Sequence, residues 1–239
     1  MYEHRLVAFI DILGWSELIN ASVNDAALFE NLKIGSKALS FAASIPDRMR
    51  QLHHDVGGDL VKGAVKGIVD VTHFSDCVLL SCPVDFAQNF TAEVQFLCRD
   101  LLLQGHCTRG AIVVGPHHHN QSSVFGPAFI EAYKLERDVA KYPRIIVTPG
   151  ALPLINPTPC VTRSYNVRTD FDGIAYVDIL GFGAGEQGQR PRTKQGFEEI
   201  LLSQAKTRLA SASGNLGLAA KHVWMVRYLE EVIRECSAT

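Results

Sequence analysis

The sequence predicts an α+β fold of the ferredoxin-like, split βαβ kind, and two observations carry that prediction. Segments typical of strands and helices alternate in the order β, α, β, β, α, β, α, β. Residues 61–71 and 77–82 are both rich in strand-forming side chains and flank a short polar tetrapeptide at 73–76, which predicts a hairpin. We therefore expect a mostly antiparallel sheet in a domain spanning residues 1–182. A helical C-terminal extension, 183–239, should pack on that domain.

The first elements follow from hydrophobic pattern and helix-start signals. Residues 5–12 form an apolar run that predicts a buried strand, and Gly14 ends it. Ser16, followed by Glu17, is expected to cap a helix that continues in pieces towards Pro46.

The middle of the chain contains the clearest helix. Asp85 is expected to open it and Gly105 to close it. Its apolar stripe consists of Phe86, Phe90, Val94, Leu97 and Leu101. Further elements are predicted in this order: a strand at 106–115, a loop at 116–123, a helix at 125–141, a strand at 144–148, a strand at 173–180, a mobile loop at 181–196, and helices at 197–209 and 222–234.

Composition excludes some classes of protein. The formal net charge is −2 and the pI is near 6.5, so no global positive field favours extended binding to nucleic acid. The six cysteines form no CxxC pair, which indicates reduced, buried thiols. The N-terminal apolar stretch is too short to span a membrane and lacks a cleavage site, so we expect a cytoplasmic protein with no membrane association of its own.

Two carboxylates occupy positions where metal chemistry is plausible. Asp11 lies at the end of the first strand and Asp76 near the hairpin turn. Carboxylates on adjacent strand ends can hold two divalent ions against a triphosphate. An unpaired ionised carboxylate in an apolar strand is unfavourable, so Asp11 needs a cation or hydrogen-bond donors. The alternative is structural: Asp11 would cap the following helix and Asp76 would only form the turn.

Three stretches resemble class III nucleotidyl cyclases in content and in order: residues 9–16 (FIDILGWS), 74–77 (FSDC) and 109–115 (RGAIVVG) continuing to 126–136. The resemblance spans about residues 5–148 and implies a palm-like cyclase domain. More narrowly, RGAIVVG, GPAFIEAYKLE, YPRIIV and KHVWMVRYL are similar to the bacterial pyrimidine cyclases of Pycsar anti-phage systems.

The resemblance implies roles for particular residues. Asp11, Asp76 and the backbone carbonyl of Ile12 would hold two Mn²⁺ or Mg²⁺ ions, and Arg109 would approach the triphosphate. The motif residues Leu13, Gly14 and Trp15 would contact substrate. For Arg109 the alternative is a simple ion pair at the edge of the sheet.

Departures from the purine-cyclase pattern concern four positions. Ile130 and Lys134 stand where that family has an Asn and an Arg; Lys134 keeps a cation but is a point charge rather than a fork. Its alternative is a solvated lysine on a helix face. Thr72 and Ser123 align approximately with the purine-reading Lys and Asp, and a small hydroxyl suits a pyrimidine edge without deciding between uracil and cytosine.

These points predict an enzyme that converts UTP to cyclic UMP and pyrophosphate at a head-to-tail homodimer interface, with Asp11 and Asp76 from one chain and Lys134 from the other. The alternatives are cyclic CMP formation, then adenylate or guanylate cyclisation, then a catalytically silent nucleotide-binding module. The resemblance also implies an anti-phage second messenger and a separate cyclic-nucleotide-sensing effector.

Several other motifs are given structural interpretations. His117, His118 and His119 are expected to lie in a solvent-facing loop because neighbouring histidines cannot all face one ion. Gly57-Gly58-Asp59 is expected to form a turn. Trp224 and Tyr228, four positions apart, are expected to pack in a core or a dimer.

Overall fold

A computed structural model of the chain describes residues 1–33, 69–120, 122–155, 167–181, 197–212 and 214–237. The strands, in chain order, are β1 Glu3–Ile12, β2 Asp70–Phe74, β3 Cys77–Pro83, β4 Thr108–His119, β5 Val124–Phe125, β6 Ile145–Val147, β7 Val167–Thr169 and β8 Ala175–Val177. The α-helices are α1 Trp15–Ser22, α2 Ala87–Leu103, α3 Pro127–Asp138, α4 Leu152–Ile155, α5 Phe197–Ser211 and α6 Leu216–Ser237. Residues 26–33 are also helical.

The strands form one sheet in the order β2-β3-β1-β4-β6-β8-β7, with β5 paired to the end of β4. Every pairing is antiparallel except that between β4 and β6. The predicted α+β class with a mostly antiparallel sheet is therefore confirmed. Within the described residues, no helix is long and apolar enough to cross a membrane.

The central strand β1 is buried on both faces. Because successive side chains of a strand point to opposite sides, its residues divide between two clusters. Leu6, Ala8 and Ile10 belong to the main core, whereas Val7 and Phe9 pack under α3. This double coverage explains why the strand reads as an unbroken apolar run.

Helix α2 confirms the predicted stripe, since Phe90, Val94, Leu97 and Leu101 are all fully or almost fully buried in the main core. A short 3₁₀ turn, Val84–Phe86, precedes it, so the helix proper starts two residues after the expected Asp85. Gly105 follows the helix with φ 87°, a conformation that glycine adopts without strain.

Two predicted boundaries near the site are wrong. Ser16 lies inside α1 and does not cap it; the cap position is Gly14, with φ 76° and no side-chain cap. Strand β2 includes His73 and Phe74, so the turn consists of Ser75 and Asp76 rather than the four residues 73–76. The local sequence did not show this because His73 and Phe74 are exposed and carry no burial pattern.

The loop predicted at the three histidines is also wrong. His117, His118 and His119 are the last residues of β4, and His117 and His119 are buried. The strand continues because β5 pairs with it, joining His118 to Phe125 and His119 to Val124. Buried partners from distant parts of the chain, described below, then stabilise the polar rings.

The last helix packs against the sheet through its aromatic residues, as predicted for Trp224 and Tyr228. Their rings stack at 5.4 Å, and both are buried. The Tyr228 hydroxyl donates to Asp178 Oδ1 at 2.5 Å and accepts from the Leu180 N–H at 2.9 Å. These bonds attach α6 to the residues that follow β8.

Some sequence predictions fall outside the described residues. They are the continuation of the first helical segment beyond residue 33, the turn at Gly57-Gly58-Asp59, the beginning of the strand predicted at 61–71, and nearly all of the loop at 181–196.

Candidate functional site

Asp11 and Asp76 lie next to each other at one end of the sheet. Strand β1 pairs with β3 in a register that places Asp11 opposite Cys77. The Ile12 N–H donates to the Asp76 carbonyl at 2.9 Å, which ties the end of β1 to the hairpin turn. Ligand atoms of Asp11, Asp76 and Cys77 all lie within 4.8 Å of one another. Two backbone elements therefore fix the two carboxylates independently of any ligand.

The turn that carries Asp76 has an unusual backbone. Ser75 adopts φ 53°, in the left-handed region where glycine is the favoured residue. A turn of two residues between β2 and β3 requires this conformation. The strained position directly precedes Asp76 in the turn.

Arg109 is the cation of the site. It lies opposite Asp11 in the β1–β4 register. Its Nε donates to Asp11 Oδ2 at 3.2 Å and is 2.5 Å from Glu136 Oε1. Because Nε carries a single hydrogen, which points to Asp11, the contact with Glu136 is an ion pair rather than a second hydrogen bond. The ion pair considered as the structural alternative for Arg109 is thus present, and its partner is a candidate metal ligand.

Burial makes this group of charges unfavourable as it stands. Desolvation raises the pKa of Asp11, and the charge and hydrogen bond of Arg109 oppose that rise. Desolvation likewise raises the pKa of Glu136 to about 6, again against the charge of Arg109. Two carboxylates, Asp11 and Glu136, share the Arg109 guanidinium, and the Asp76 carboxylate lies beside that of Asp11. Carboxylates that outnumber their arginine partner favour a divalent cation.

The donor set fits a hard divalent ion. Two carboxylates converge, and oxygen ligands are those that Mg²⁺ and Mn²⁺ prefer. Cys77 is the third group, with its Sγ 3.6 Å from Asp76 Oδ1 and 3.9 Å from Asp11 Oδ1. Desolvation followed by the Asp76 charge raises the pKa of the Cys77 thiol, so it remains protonated beside the carboxylates. The two aspartates are therefore the residues suited to hold the ion.

Glu136 belongs to the cyclase-like stretch at residues 126–136, but the sequence pattern assigned it no role. It is buried on α3 in line with Ala128 and Ala132, at spacings of four. A carboxylate on the apolar stripe of an amphipathic helix was the available signal, because it requires a buried cationic partner.

The motif residues after Asp11 have different environments. The Leu13 N–H donates to the Cys107 carbonyl at 2.9 Å, and Gly14 starts α1. Trp15 is buried in the main core and meets His106 edge-on. A contact between Trp15 and substrate is therefore restricted to its backbone. Leu13 and Gly14 line a cavity of about 890 Å³.

Lys134 stands four positions before Asp138 on α3, and its charge acts on that carboxylate. It is exposed on α3, and within the described residues it forms no ion pair. Ile130 and Tyr133 beside it are exposed as well. This surface of α3 leaves a lysine and two apolar side chains available to a second molecule.

Thr72 and Ser123 are each held by a histidine from the end of β4. Thr72 Oγ1 is 2.9 Å from His119 Nε2, and Ser123 Oγ is 3.1 Å from His118 Nε2. The structure thus associates both predicted base-reading hydroxyls with the histidine run, which the sequence had assigned to a solvent-facing loop.

A buried network continues from His119 into the sheet. Its Nδ1 lies 3.0 Å from Ser81 Oγ, and Arg5 Nε donates to the same hydroxyl at 3.1 Å. Arg5 also pairs with Asp70 at 2.5 Å. Desolvation, together with the charges of His117 and Arg5, lowers the pKa of His119 to about 3. The imidazole is therefore neutral, with one nitrogen that donates and one that accepts.

No family model matches the chain, and no curated protein matches it. Among solved structures, a bacterial light-regulated adenylyl cyclase is similar with a TM-score of 0.42 and 15% identity, over 75% of this chain and 92% of that one. The guanylyl cyclase domain of the RhoGC fusion protein from the aquatic fungus Blastocladiella emersonii is similar with a TM-score of 0.41 and 13% identity, over 74% and 95%. A second structure of a bacterial light-regulated adenylyl cyclase is similar with a TM-score of 0.44 and 13% identity, over 87% of this chain and 58% of that one. At these TM-scores the likeness does not extend to function.

Proposed function

We propose that the chain is a nucleotidyl cyclase that converts a nucleoside triphosphate to a cyclic nucleotide and pyrophosphate. The observation that carries the proposal is the convergence of Asp11 and Asp76 within 4.8 Å at the end of the sheet, with more carboxylates than cations around them. Such a site attracts divalent ions and, through them, a polyphosphate.

The reaction joins two atoms of one substrate. The ribose 3′-oxygen attacks the α-phosphorus, its proton passes to solvent water, and the bond from the α-phosphorus to the bridging oxygen of pyrophosphate breaks. The protein forms no covalent bond in this scheme, so its contribution is positioning and charge. Divalent ions held by Asp11 and Asp76, with the Ile12 carbonyl, would acidify the hydroxyl and neutralise the leaving group.

Arg109 and Lys134 are the cations proposed for the phosphates. Arg109 is adjacent to Asp11, with a planar fork suited to phosphate oxygens. Lys134 is exposed on α3 and forms no ion pair within the described residues, which supports its action in a partner chain of a head-to-tail homodimer. The exposed Ile130 and Tyr133 provide apolar area for that contact.

Within this class, we propose UTP as the preferred substrate and cyclic UMP as the product, with cyclic CMP as the nearest alternative. Thr72 and Ser123 place short hydroxyls where a purine cyclase has long side chains, which supports a pyrimidine over adenine or guanine. Backbone groups of Leu13, Gly14 and Trp15 would contact the substrate near the metal ligands. A second-messenger role in anti-phage defence, with a separate effector, is supported by the sequence resemblance alone.

The decisive experiment is product identification. The purified protein is incubated with ATP, GTP, CTP and UTP in separate reactions with Mn²⁺, and any cyclic nucleotide is identified by mass spectrometry. We expect cyclic UMP as the main product. A folded dimer that yields no cyclic product from any of the four substrates would disprove the enzymatic proposal.

The role of the carboxylates is tested by substitution. Asp76→Ala should abolish turnover and leave the thermal melting temperature nearly unchanged, because Asp76 lies in a turn and its backbone keeps the bond to Ile12. Asp138→Ala is the matched control, since Asp138 is an exposed carboxylate on α3 that pairs with its neighbour Arg137. Full activity in Asp76→Ala would contradict a metal-binding role and would show that Asp76 only forms the turn.

One observation favours a second candidate, a catalytically silent nucleotide-binding module. Asp11 is already paired to Arg109, so a cation must compete with a guanidinium for this carboxylate. In that case the protein would bind nucleoside triphosphates without Mn²⁺, and Asp76→Ala would leave that binding intact. Mn²⁺-dependent binding that Asp76→Ala eliminates would exclude the silent module.

A further inference from the structure

A cavity of about 890 Å³ lies between the start of α1 and the C-terminal helices. On one side it is lined by Leu13 and Gly14, which directly follow the metal-ligating end of β1. On the other side lie the C-terminal helices α5 and α6, which contribute Arg208 and Lys221. Its volume lies within the range of pockets that hold small-molecule ligands.

Positive charge dominates the wall of this cavity. The cations Arg208 and Lys221 line it, and Glu17 is the sole carboxylate among the described lining residues. Within the described part of the chain, neither Arg208 nor Lys221 forms an ion pair. Two cations thus face one cavity without the carboxylate partners that such groups usually have.

The cations are held in place rather than free in solvent. Arg208 lies over Gly105, where an added methyl group would meet its guanidinium nitrogen at 2.6 Å. It also contacts the Cys107 thiol. Desolvation lowers the pKa of His222, and the charges of Arg208 and Lys221 lower it further, so the histidine stays neutral beside them. The arrangement concentrates positive charge at one point, which an anion would relieve.

The position of the cavity suggests which anion. Leu13 and Gly14, which line the cavity, follow Asp11 and Ile12 directly in the chain. A ligand whose α-phosphate lies at the metal site would extend its remaining phosphates past Leu13 and Gly14 towards Lys221. The base of the same ligand would lie elsewhere, because Thr72 and Ser123 are associated with the other end of β4.

We propose that this cavity binds the terminal phosphates of the nucleotide, with Lys221 and Arg208 as their cationic partners. The C-terminal helices would then form part of the substrate site. This inference rests on the proposed function, since it assigns one end of the same substrate.

The test uses inorganic tripolyphosphate, which carries the phosphate tail without a base or ribose. The full chain is titrated with it by calorimetry in the presence of Mg²⁺. Lys221→Gln should weaken binding about tenfold or more, as expected for a lost charge-assisted hydrogen bond. Lys206→Gln is the matched control, because Lys206 lies on α5, is exposed and pairs with Glu230. It removes the same charge from the same helical region and should leave the affinity unchanged.

Arg208→Gln provides an independent variant, with the same expected loss. Lys221→Gln should fold normally because Lys221 is half-buried and has no described ion pair, and thermal melting verifies this. Equal tripolyphosphate affinity in Lys221→Gln, Arg208→Gln and Lys206→Gln would overturn the inference. So would an absence of binding to the unmodified chain.

The outcome is separable from that of the proposed function. Tripolyphosphate binding that depends on Lys221, in a protein that forms no cyclic nucleotide, would support the phosphate site and refute the cyclase. Cyclic nucleotide formation with an unchanged KM in Lys221→Gln would support the cyclase and refute the phosphate site.

Discussion

The buried histidines at the end of β4 should make the stability of the protein depend on pH. Desolvation, then the charges of Arg5 and His118, lowers the pKa of His117 from 6.5 to about 4. The pKa of His119 falls from 6.5 to about 3, through desolvation and the charges of His117, Arg5 and His118. Below pH 6.5 the unfolded chain therefore takes up protons that the folded chain does not, and stability is lost as the pH falls towards the folded values.

The magnitude follows from the pKa of the unfolded state. A pH of 5 lies 1.5 units below the pKa of 6.5 of the imidazole in the unfolded chain, so that imidazole is protonated. In the folded chain His119 remains neutral at the same pH. Each unit corresponds to 1.36 kcal/mol, so each buried histidine should remove about 2 kcal/mol from the free energy of unfolding between pH 7 and pH 5.

The assay is urea unfolding at pH 7 and pH 5 with His119→Gln and the exposed control His73→Gln. His119→Gln should be less stable than the unmodified protein at pH 7, because it disturbs the contacts with Thr72 and Ser81. Between pH 7 and pH 5, the free energy of unfolding of His119→Gln should fall by about 2 kcal/mol less than that of the unmodified protein. His73→Gln should behave like the unmodified protein. An identical pH-dependent loss in His119→Gln would refute the reasoning.

Three further predictions concern single contacts. Gly110→Ala should lower the free energy of unfolding in urea by about 3 kcal/mol or more, because the added Cβ would lie 2.2 Å from the Phe9 carbonyl oxygen. The control Gly115→Ala should be nearly neutral, because its Cβ would lie 3.5 Å from the Cβ of Ala128, an ordinary contact. Tyr228→Phe should lower the unfolding free energy by about 1.5–3 kcal/mol through loss of the bond to a buried carboxylate, and an unchanged midpoint would contradict that bond. Glu136→Gln should weaken Mn²⁺ binding about tenfold by calorimetry, since it removes a nearby buried negative charge, while the exposed Glu131→Gln should not.

Three elements of the fold were predictable from sequence because their signals are local, whereas β5 and β7 were not predicted. The apolar run of β1, the hairpin around Asp76 and the stripe of α2 each depend on neighbours in the chain. Asp11 and Asp76 could be expected near one another because one ends a strand and the other lies at the turn of a hairpin. Their roles in binding metal and substrate remain a proposal.

The histidine run was missed because its stabilising partners are distant. Pro116 and the polar residues after it are typical of a loop. In the structure, His119 instead meets Ser81 and Thr72, which lie 38 and 47 positions earlier in the chain. Glu136 was missed for the same reason, since Arg109 becomes its neighbour only once α3 packs across β4. The local sequence does not identify the partner in such long-range polar pairs, although the position of Glu136 on the apolar stripe of α3 indicates that a partner is needed.

The central place of β1 has a consequence for how the chain acquires its structure. Asp11 and its neighbour Cys77 are 66 positions apart, and Asp11 and Arg109 are 98 apart. During synthesis β1 therefore emerges well before either strand with which it pairs. Its apolar side chains stay exposed until those strands have been made. Folding dominated by such distant pairings is slow. The end of β1 that carries Asp11 consequently meets its partners only after most of the sheet has been made. A truncated product would therefore expose an aggregation-prone strand in which Asp11 lacks those partners.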